Sequence, residues 1–290
     1  MNDSRPIGVF DSGVGGLTVA VEIKKLLPHE KIIYLGDLLH LPYGSKSSRA
    51  VLDFTRAAAD FLVRKNIKLL VIACNTATSI ALENISAELD IPVIGVIEPG
   101  VIYACRVSKT KRIGVIGTTR TIKSGAYEKT IHSIEPGAYV VQKPTPLLVP
   151  LIEEGWVGHR VVGIVLEEYL KDFMDKEIDT LVLGCTHYPL IMNDIERLLP
   201  GIKVIDSAST TAKMTAEMLE DKQKLSQKLS IEKSISGKYK LNGERSSFSI
   251  YLTDYSENFA VLARMILGEK IPYPEVVSLN YNRGKLEYNL

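Results

Sequence analysis

Cysteine is scarce in this chain: only Cys74, Cys105 and Cys185 occur in 290 residues. They are too few and too widely spaced for a disulfide framework or a Cys-rich zinc site, and no C-x-x-C redox pair is present. In a reducing compartment they are expected as free thiols. An excess of one charge is also missing, with 35 Lys and Arg against 34 Asp and Glu. No global attraction to nucleic acid or anionic membrane follows, so any anion specificity has to be local. No apolar run approaches the length of a membrane span, and "MNDSRPIGVFDSG" has no charged-then-apolar leader with a small-residue cleavage site. The expectation is a cytoplasmic protein with neither membrane nor nucleic acid as partner.

What is present is ordinary for a globular protein: 46% hydrophobic residues, 24% charged, 21 Gly and 13 Pro. The length allows one large α/β unit or two smaller ones. Over the first two hundred residues, short β-branched runs alternate with amphipathic helical stretches, the pattern of parallel sheets covered by helices. Strands are expected at "PIGVF", "KIIYLG", "KLLVIA", "PVIGV", "RIGVIG", "AYVVQ", "TLVLG" and "IKVID". Gly16 to Leu27 reads as a helix, with Leu17, Val21, Leu26 and Leu27 approximating an apolar stripe between a Gly-rich start and Pro28.

The chain also echoes itself. "PIGVFDSGVGG" resembles "RIGVIGTTRT", and "LLVIACNTATSIAL" is matched by "TLVLGCTHYPLI". The gap from first strand to cysteine is 67 residues from Ile7 to Cys74 and 72 from Ile113 to Cys185. Apolar strands resemble one another in any α/β protein, so the runs alone do not require duplication. Cysteines at matching strand ends argue for it. The expected architecture is α/β, two pseudo-symmetric α/β domains with mainly parallel sheets and an active site between them. Residues 1–98 plus 212–290 would form the first, discontinuous domain and 99–211 the second. A Lys- and Ser-rich stretch near 221–248 reads as a polar insertion, after which "YLTDYSENFAVLARMILGEK" restores a strand, a cap near Ser256 and a helix ending at Gly268.

In open parallel sheets, functional groups gather outside the carboxyl ends of the strands. That rule collects Asp11 and Ser12, Asp37, the loop Pro42, Tyr43 and Gly44, then Cys74, Asn75 and Thr76. From the second half it adds Thr118, Thr119, Thr121, Cys185, Thr186 and His187. Cys74 and Cys185 are both expected at helix starts, where orphan N–H groups and the helix dipole lower a thiol pKa. A free cysteine is otherwise a small buried hydrophobe, and Cys105 is assigned to a helix core on that ground. Neutral Asn, Thr and Ser donors suit a small bound carboxylate, although Thr76 and Thr186 could equally cap helices. His187, two residues from a candidate thiolate, could move a proton or simply pack as a neutral ring. The run "DSGVGG" is a poor dinucleotide fingerprint: its spacing is G-x-G-G, and Asp11 would sit where pyrophosphate must. Its glycines fit a tight strand-to-helix turn.

With "DSGVGGLT", "PYG", "ACNTAT", "IGTT" and "GCTHYPL" in this order, the chain resembles the glutamate racemases of the cofactor-independent aspartate/glutamate racemase superfamily, from about Ile7 to Asp206. The resemblance implies interconversion of L- and D-glutamate without a cofactor, supplying D-glutamate for peptidoglycan. One cysteine would remove the α-proton and the other would deliver a proton to the opposite face. Carried onto this sequence, the pair is Cys74 and Cys185, assisted by Asp11 and His187, with Glu153 as an auxiliary acid ahead of Glu154. Substrate contacts would come from Ser12, Pro42, Tyr43, Gly44, Asn75, Thr76, Thr118 and Thr186. A homodimer is a possible assembly. The chain departs from many relatives at His40 and Leu41, where an Arg-Cys pair is common, and at Thr145, where a Cys is common. The stretch from Asp221 to Ser247 is longer than usual. The competing readings are a racemase for aspartate or another acidic amino acid, and a non-catalytic binder of small carboxylates.

Overall fold

The computed structural model describes residues 3–221, 248–268, 272–279 and 281; nearly all of the expected polar insertion lies outside them. The first half runs β1 (Ile7–Asp11), α1 (Leu17–Leu26), β2 (Ile32–Gly36), α2 (Ser48–Arg64), β3 (Leu69–Ile72), α3 (Asn75–Glu88) and β4 (Val93–Gly95). Helix α4 (Ile97–Val107) leads into β5 (Arg112–Gly117), α5 (Thr119–Lys123), α6 (Ala126–Ile134), β6 (Tyr139–Pro144), α7 (Leu148–Glu153) and α8 (Arg160–Met174). Then come β7 (Thr180–Gly184), α9 (Met192–Leu198), β8 (Lys203–Asp206) and α10 (Ser207–Asp221). The last described elements are β9 (Phe248–Leu252), α11 (Glu257–Leu267) and β10 (Glu275–Val276).

Two parallel sheets result. One has the order β10-β9-β2-β1-β3-β4 and the other β6-β5-β7-β8. Replacing β1, β2, β3 and β4 by β5, β6, β7 and β8 converts the β2-β1-β3-β4 portion into the second sheet. The echo noticed in the sequence is therefore an echo of topology. The strands β1, β3 and β7 are buried at every residue, which is why they read as unbroken apolar runs: both faces of a central parallel strand are covered by helices. Strand β6, at a sheet edge, has no fully buried residue.

One continuous core takes Ile7, Val9, Leu69 and Val71 from one sheet together with Leu181 and Leu183 from the other. Alternate residues of β1, β3 and β7 face separate cores, Phe10 and Ile72 under α2 and α3, and Val182 with Val115 of β5 under α4 and α6. The period of two along each strand thus welds the halves on one face and covers each sheet on the other. Cys105 packs in the last of these cores, as expected of a helix-core residue. The restored segment also follows expectation: β9 pairs with β2, Ser256 Oγ accepts from Phe259 N at 3.1 Å, and Gly268 ends α11.

Candidate active site

The two homologous strand ends, β3 and β7, aim into one cavity of about 390 Å³. Of the expected residues, Ser12, Pro42, Tyr43, Gly44, Cys74, Asn75, Thr76, Thr118, Cys185, Thr186 and His187 line it. Asp11 and Glu153 stand behind that lining. Glu154 makes no side-chain hydrogen bond or ion pair with a described residue and is exposed.

Cys74 occupies the N-cap of α3, where its Sγ accepts from Ala77 N at 3.5 Å and lies 3.5 Å from Ser12 Oγ. The cap pulls its pKa down but is outweighed. Burial and the charge of Asp11 push the thiol up to about 12, against the two hydrogen bonds that favour the thiolate. The expectation of an acidified thiol fails here because the dipole of one helix end is a partial charge, whereas full desolvation and a nearby carboxylate act on the whole anion. Cys185 departs differently. It precedes a 3₁₀ turn, Tyr188–Ile191, rather than an α-helix, and α9 begins only at Met192. Pro189 occupies the turn and lacks an N–H, so tight i→i+3 bonds such as Leu190 N to His187 O at 3.1 Å close it instead.

His187 Nδ1 lies 3.7 Å from Cys185 Sγ, and its Nε2 lies 2.5 Å from Glu153 Oε1. Burial alone would lower the imidazole pKa; Glu153 and the hydrogen bond to Cys185 outweigh it and hold the ring well above its usual value. Asp11 is fully buried and accepts from Gly13 N at 2.9 Å and from Thr186 Oγ1 at 3.3 Å, a contact that crosses from one half to the other. Its carboxyl is raised by burial despite the opposing pull of His187 and those hydrogen bonds.

Neither Thr76 nor Thr186 serves as a helix cap. Thr76 Oγ1 is 2.9 Å from Thr118 Oγ1 and 3.1 Å from Thr121 Oγ1, and the last two are 2.9 Å apart, so three hydroxyls close a triangle across the halves. Thr118 is itself the N-cap of α5. Asn75 Oδ1 accepts from Tyr127 Oη at 2.6 Å, which turns its amide nitrogen the other way; that buried Nδ2 has no hydrogen-bond partner among the described residues. A buried N–H without an acceptor is costly, and a cavity-lining residue is where a ligand oxygen would relieve it.

Tyr43 lines the cavity, and its hydroxyl donates to Asp37 Oδ2 at 2.6 Å. Asp37 also accepts from Thr253 Oγ1 at 2.7 Å and Tyr281 Oη at 3.3 Å, while His40 Nδ1 lies 3.0 Å away. Tyr43 thereby anchors the Pro42–Gly44 loop. Gly44 is required there because a Cβ would fall 2.6 Å from Thr118 Cβ. At Gly15 a Cβ would come within 2.5 Å of Thr186 Oγ1 and 2.7 Å of His187 Nδ1, so the tight glycine turn serves close approach of the two halves.

Sequence reasoning missed three residues. Tyr127 sits within a helix and carries no local signal of its bond to Asn75. Arg120 and Lys123 line the mouth, and their nearness to Thr118 was the available signal.

The chain matches the family model for Asp/Glu/hydantoin racemase over residues 18–215. It is 44% identical over 272 residues to the glutamate racemase of Aquifex aeolicus, covering 94% of this chain and 97% of that one. Among solved structures, glutamate racemase from Francisella tularensis in complex with D-glutamate is 38% identical with a TM-score of 0.84, covering 95% of this chain and 98% of that one. An isoform from Bacillus anthracis is 37% identical with a TM-score of 0.86, covering 96% and 98%. An aspartate racemase from Picrophilus torridus shares the fold at 18% identity and a TM-score of 0.54. Matched over most of its length in sequence and structure, the chain belongs to the Asp/Glu/hydantoin racemase family and is an isomerase.

Proposed function

We propose that this enzyme interconverts L- and D-glutamate by a two-base proton transfer between Cys74 and Cys185. One observation carries the reading: two cysteines at equivalent ends of equivalent strands, β3 and β7, line a single cavity. One thiolate takes the α-proton and becomes a thiol. The opposite thiol gives its proton to the far face of the carbanion and becomes a thiolate, so each turnover leaves the pair in reversed protonation states. A single base would tend to return the proton to the face it left.

The difficult step is forming a carbanion beside a carboxylate. Asn75 Nδ2, the Thr76–Thr118–Thr121 hydroxyls and the backbone at the α3 N-terminus are neutral donors able to take up that charge in a site screened from water. Ionising Cys74 from about 12 at pH 8 costs about 5 kcal/mol. The α-ammonium of an amino acid bound beside the thiols supplies the opposing charge. In this reading Asp11 assists Cys74, His187 assists Cys185 and Glu153 holds His187 in its charged form. Family likeness favours glutamate over aspartate, and turnover of both amino acids separates them. The division of the chain into 1–98 plus 212–290 and 99–211, a cytoplasmic address and supply of D-glutamate for peptidoglycan belong to the same reading.

The test is solvent-deuterium exchange started separately from each enantiomer in Cys74→Ala and Cys185→Ala proteins. Each variant should lose exchange from one enantiomer only. Equal exchange from both enantiomers in either variant sinks the two-base assignment.

A further inference from the structure

The cavity has an asymmetric charge distribution that the chemistry above does not use. Among the described residues no Asp or Glu lines it, and apart from His187 the ionisable cations that do so are Arg120 and Lys123, both on α5. Arg120 is half-buried and held in place: its Nε donates to Lys46 O at 2.8 Å, from the second half to the loop of the first. Neither the Arg120 guanidinium nor the Lys123 ammonium pairs with a carboxylate of a described residue. Elsewhere on the surface such pairing is common, as in Arg56–Glu88, Arg64–Asp60 and Lys171–Glu168. With Nε occupied by a carbonyl, the planar guanidinium keeps its terminal N–H groups for an acceptor arriving at the mouth, and a fixed fork suits a carboxylate.

We propose that Arg120 and Lys123 form a cationic rim that selects for acidic amino acids by drawing in and retaining a carboxylate at the cavity mouth. The proposal rests on the glutamate reading and assigns two specificity-determining residues to it. A rim of exposed charge acts before the chemical step, on encounter and ground-state retention, and is screened by salt. Each exposed cation contributes modestly, on the order of threefold in affinity, and the pair about tenfold.

The experiment measures kcat and KM for both enantiomers of glutamate, and the Kd for D-glutamate by calorimetry, over a series of salt concentrations. The proteins are the wild type, Lys123→Gln, Lys123→Arg and the Arg120→Gln/Lys123→Gln double variant. Lys123→Gln should raise KM and Kd about threefold, Lys123→Arg should restore them, and the double variant should raise them about tenfold with kcat within about twofold. The salt dependence of kcat/KM should flatten in the double variant. Because the Lys123 side chain makes no hydrogen bond or ion pair with a described residue, its variants read charge without removing the Arg120–Lys46 bond. Unchanged KM, Kd and salt dependence in the double variant overturn the rim. So does a fall in kcat with KM and salt dependence intact, which would mark Arg120 as a loop fastener alone. If wild type binds glutamate but does not racemise it, the proposed reaction fails and the rim is still read from Kd. If it binds no acidic amino acid, both fail.

Discussion

Asn75 offers the sharpest perturbation. Its side chain is split between two tasks: Oδ1 accepts from Tyr127 Oη at 2.6 Å, and Nδ2 is buried without a partner among the described residues. In Asn75→Ala the donor disappears. If Nδ2 meets the carboxylate of the substrate as charge builds there, its loss should resemble that of one oxyanion-hole donor, about 2.7–4 kcal/mol or 10²–10³-fold in kcat. Stability should move less. Truncation strands the Tyr127 hydroxyl, at a cost of about 1–3 kcal/mol, but also removes an unsatisfied N–H of comparable cost. The two nearly cancel, leaving a net change of about 1 kcal/mol in a urea titration. Asn75→Asp keeps the shape and adds negative charge, and should be less active than the alanine variant. Tyr127→Phe frees the amide to rotate, and a loss of about tenfold in kcat/KM is expected from misplacement alone. Circular dichroism of L-glutamate incubated with each protein supplies the rates. Activity of Asn75→Ala within about fivefold of wild type would refute the argument that the orphaned donor is a substrate contact.

Gly15→Ala should lower kcat/KM by about 10²-fold, since a Cβ placed 2.5 Å from Thr186 Oγ1 and 2.7 Å from His187 Nδ1 must displace those two side chains; wild-type kinetics in the alanine protein would show that the turn yields at no expense to the site. Glu153→Gln removes the charge that most raises the His187 pKa, leaving only Cys185 to oppose burial. A raised folded-state pKa stabilises the protein fully below the unfolded value near 6.5 and loses that contribution as pH rises through the folded value. Glu153→Gln should therefore cost about 2 kcal/mol at pH 6 and progressively less above neutrality. Urea midpoints of both proteins at several pH values check the sign, and a cost that grows with pH would reverse the assignment.

The elements were largely legible because central parallel strands, buried on both faces, must be written as unbroken apolar runs, and "KLLVIA" and "TLVLG" are such runs. Their common topology could be anticipated from the matching cysteines. The chemistry at those ends was less legible. The helix start at Cys74 was visible, but its thiol pKa depends on total burial and on Asp11, which is distant in sequence. Cys185, expected at a helix start like Cys74, is followed by a 3₁₀ turn containing Pro189, so the likeness of the two segments stops at the strand end. Tyr43 is expected at the site as part of the Pro42–Gly44 loop, but the tie of its hydroxyl to Asp37 was not legible, since partners of Asp37 such as Thr253 and Tyr281 lie more than two hundred residues away.

Local order in the chain determined the strand and helix succession, the paired cysteines, the glycine turn and the neutral polar residues at strand ends, since each depends on neighbours within a few positions. The tertiary structure alone decided which groups meet: Thr76 with Thr118 and Thr121, Asp11 with Thr186, His187 with Glu153, and Tyr127 with Asn75. It also decided protonation. Desolvation and the sum of nearby charges are properties of the closed interface between the halves, and no segment of sequence carries them by itself.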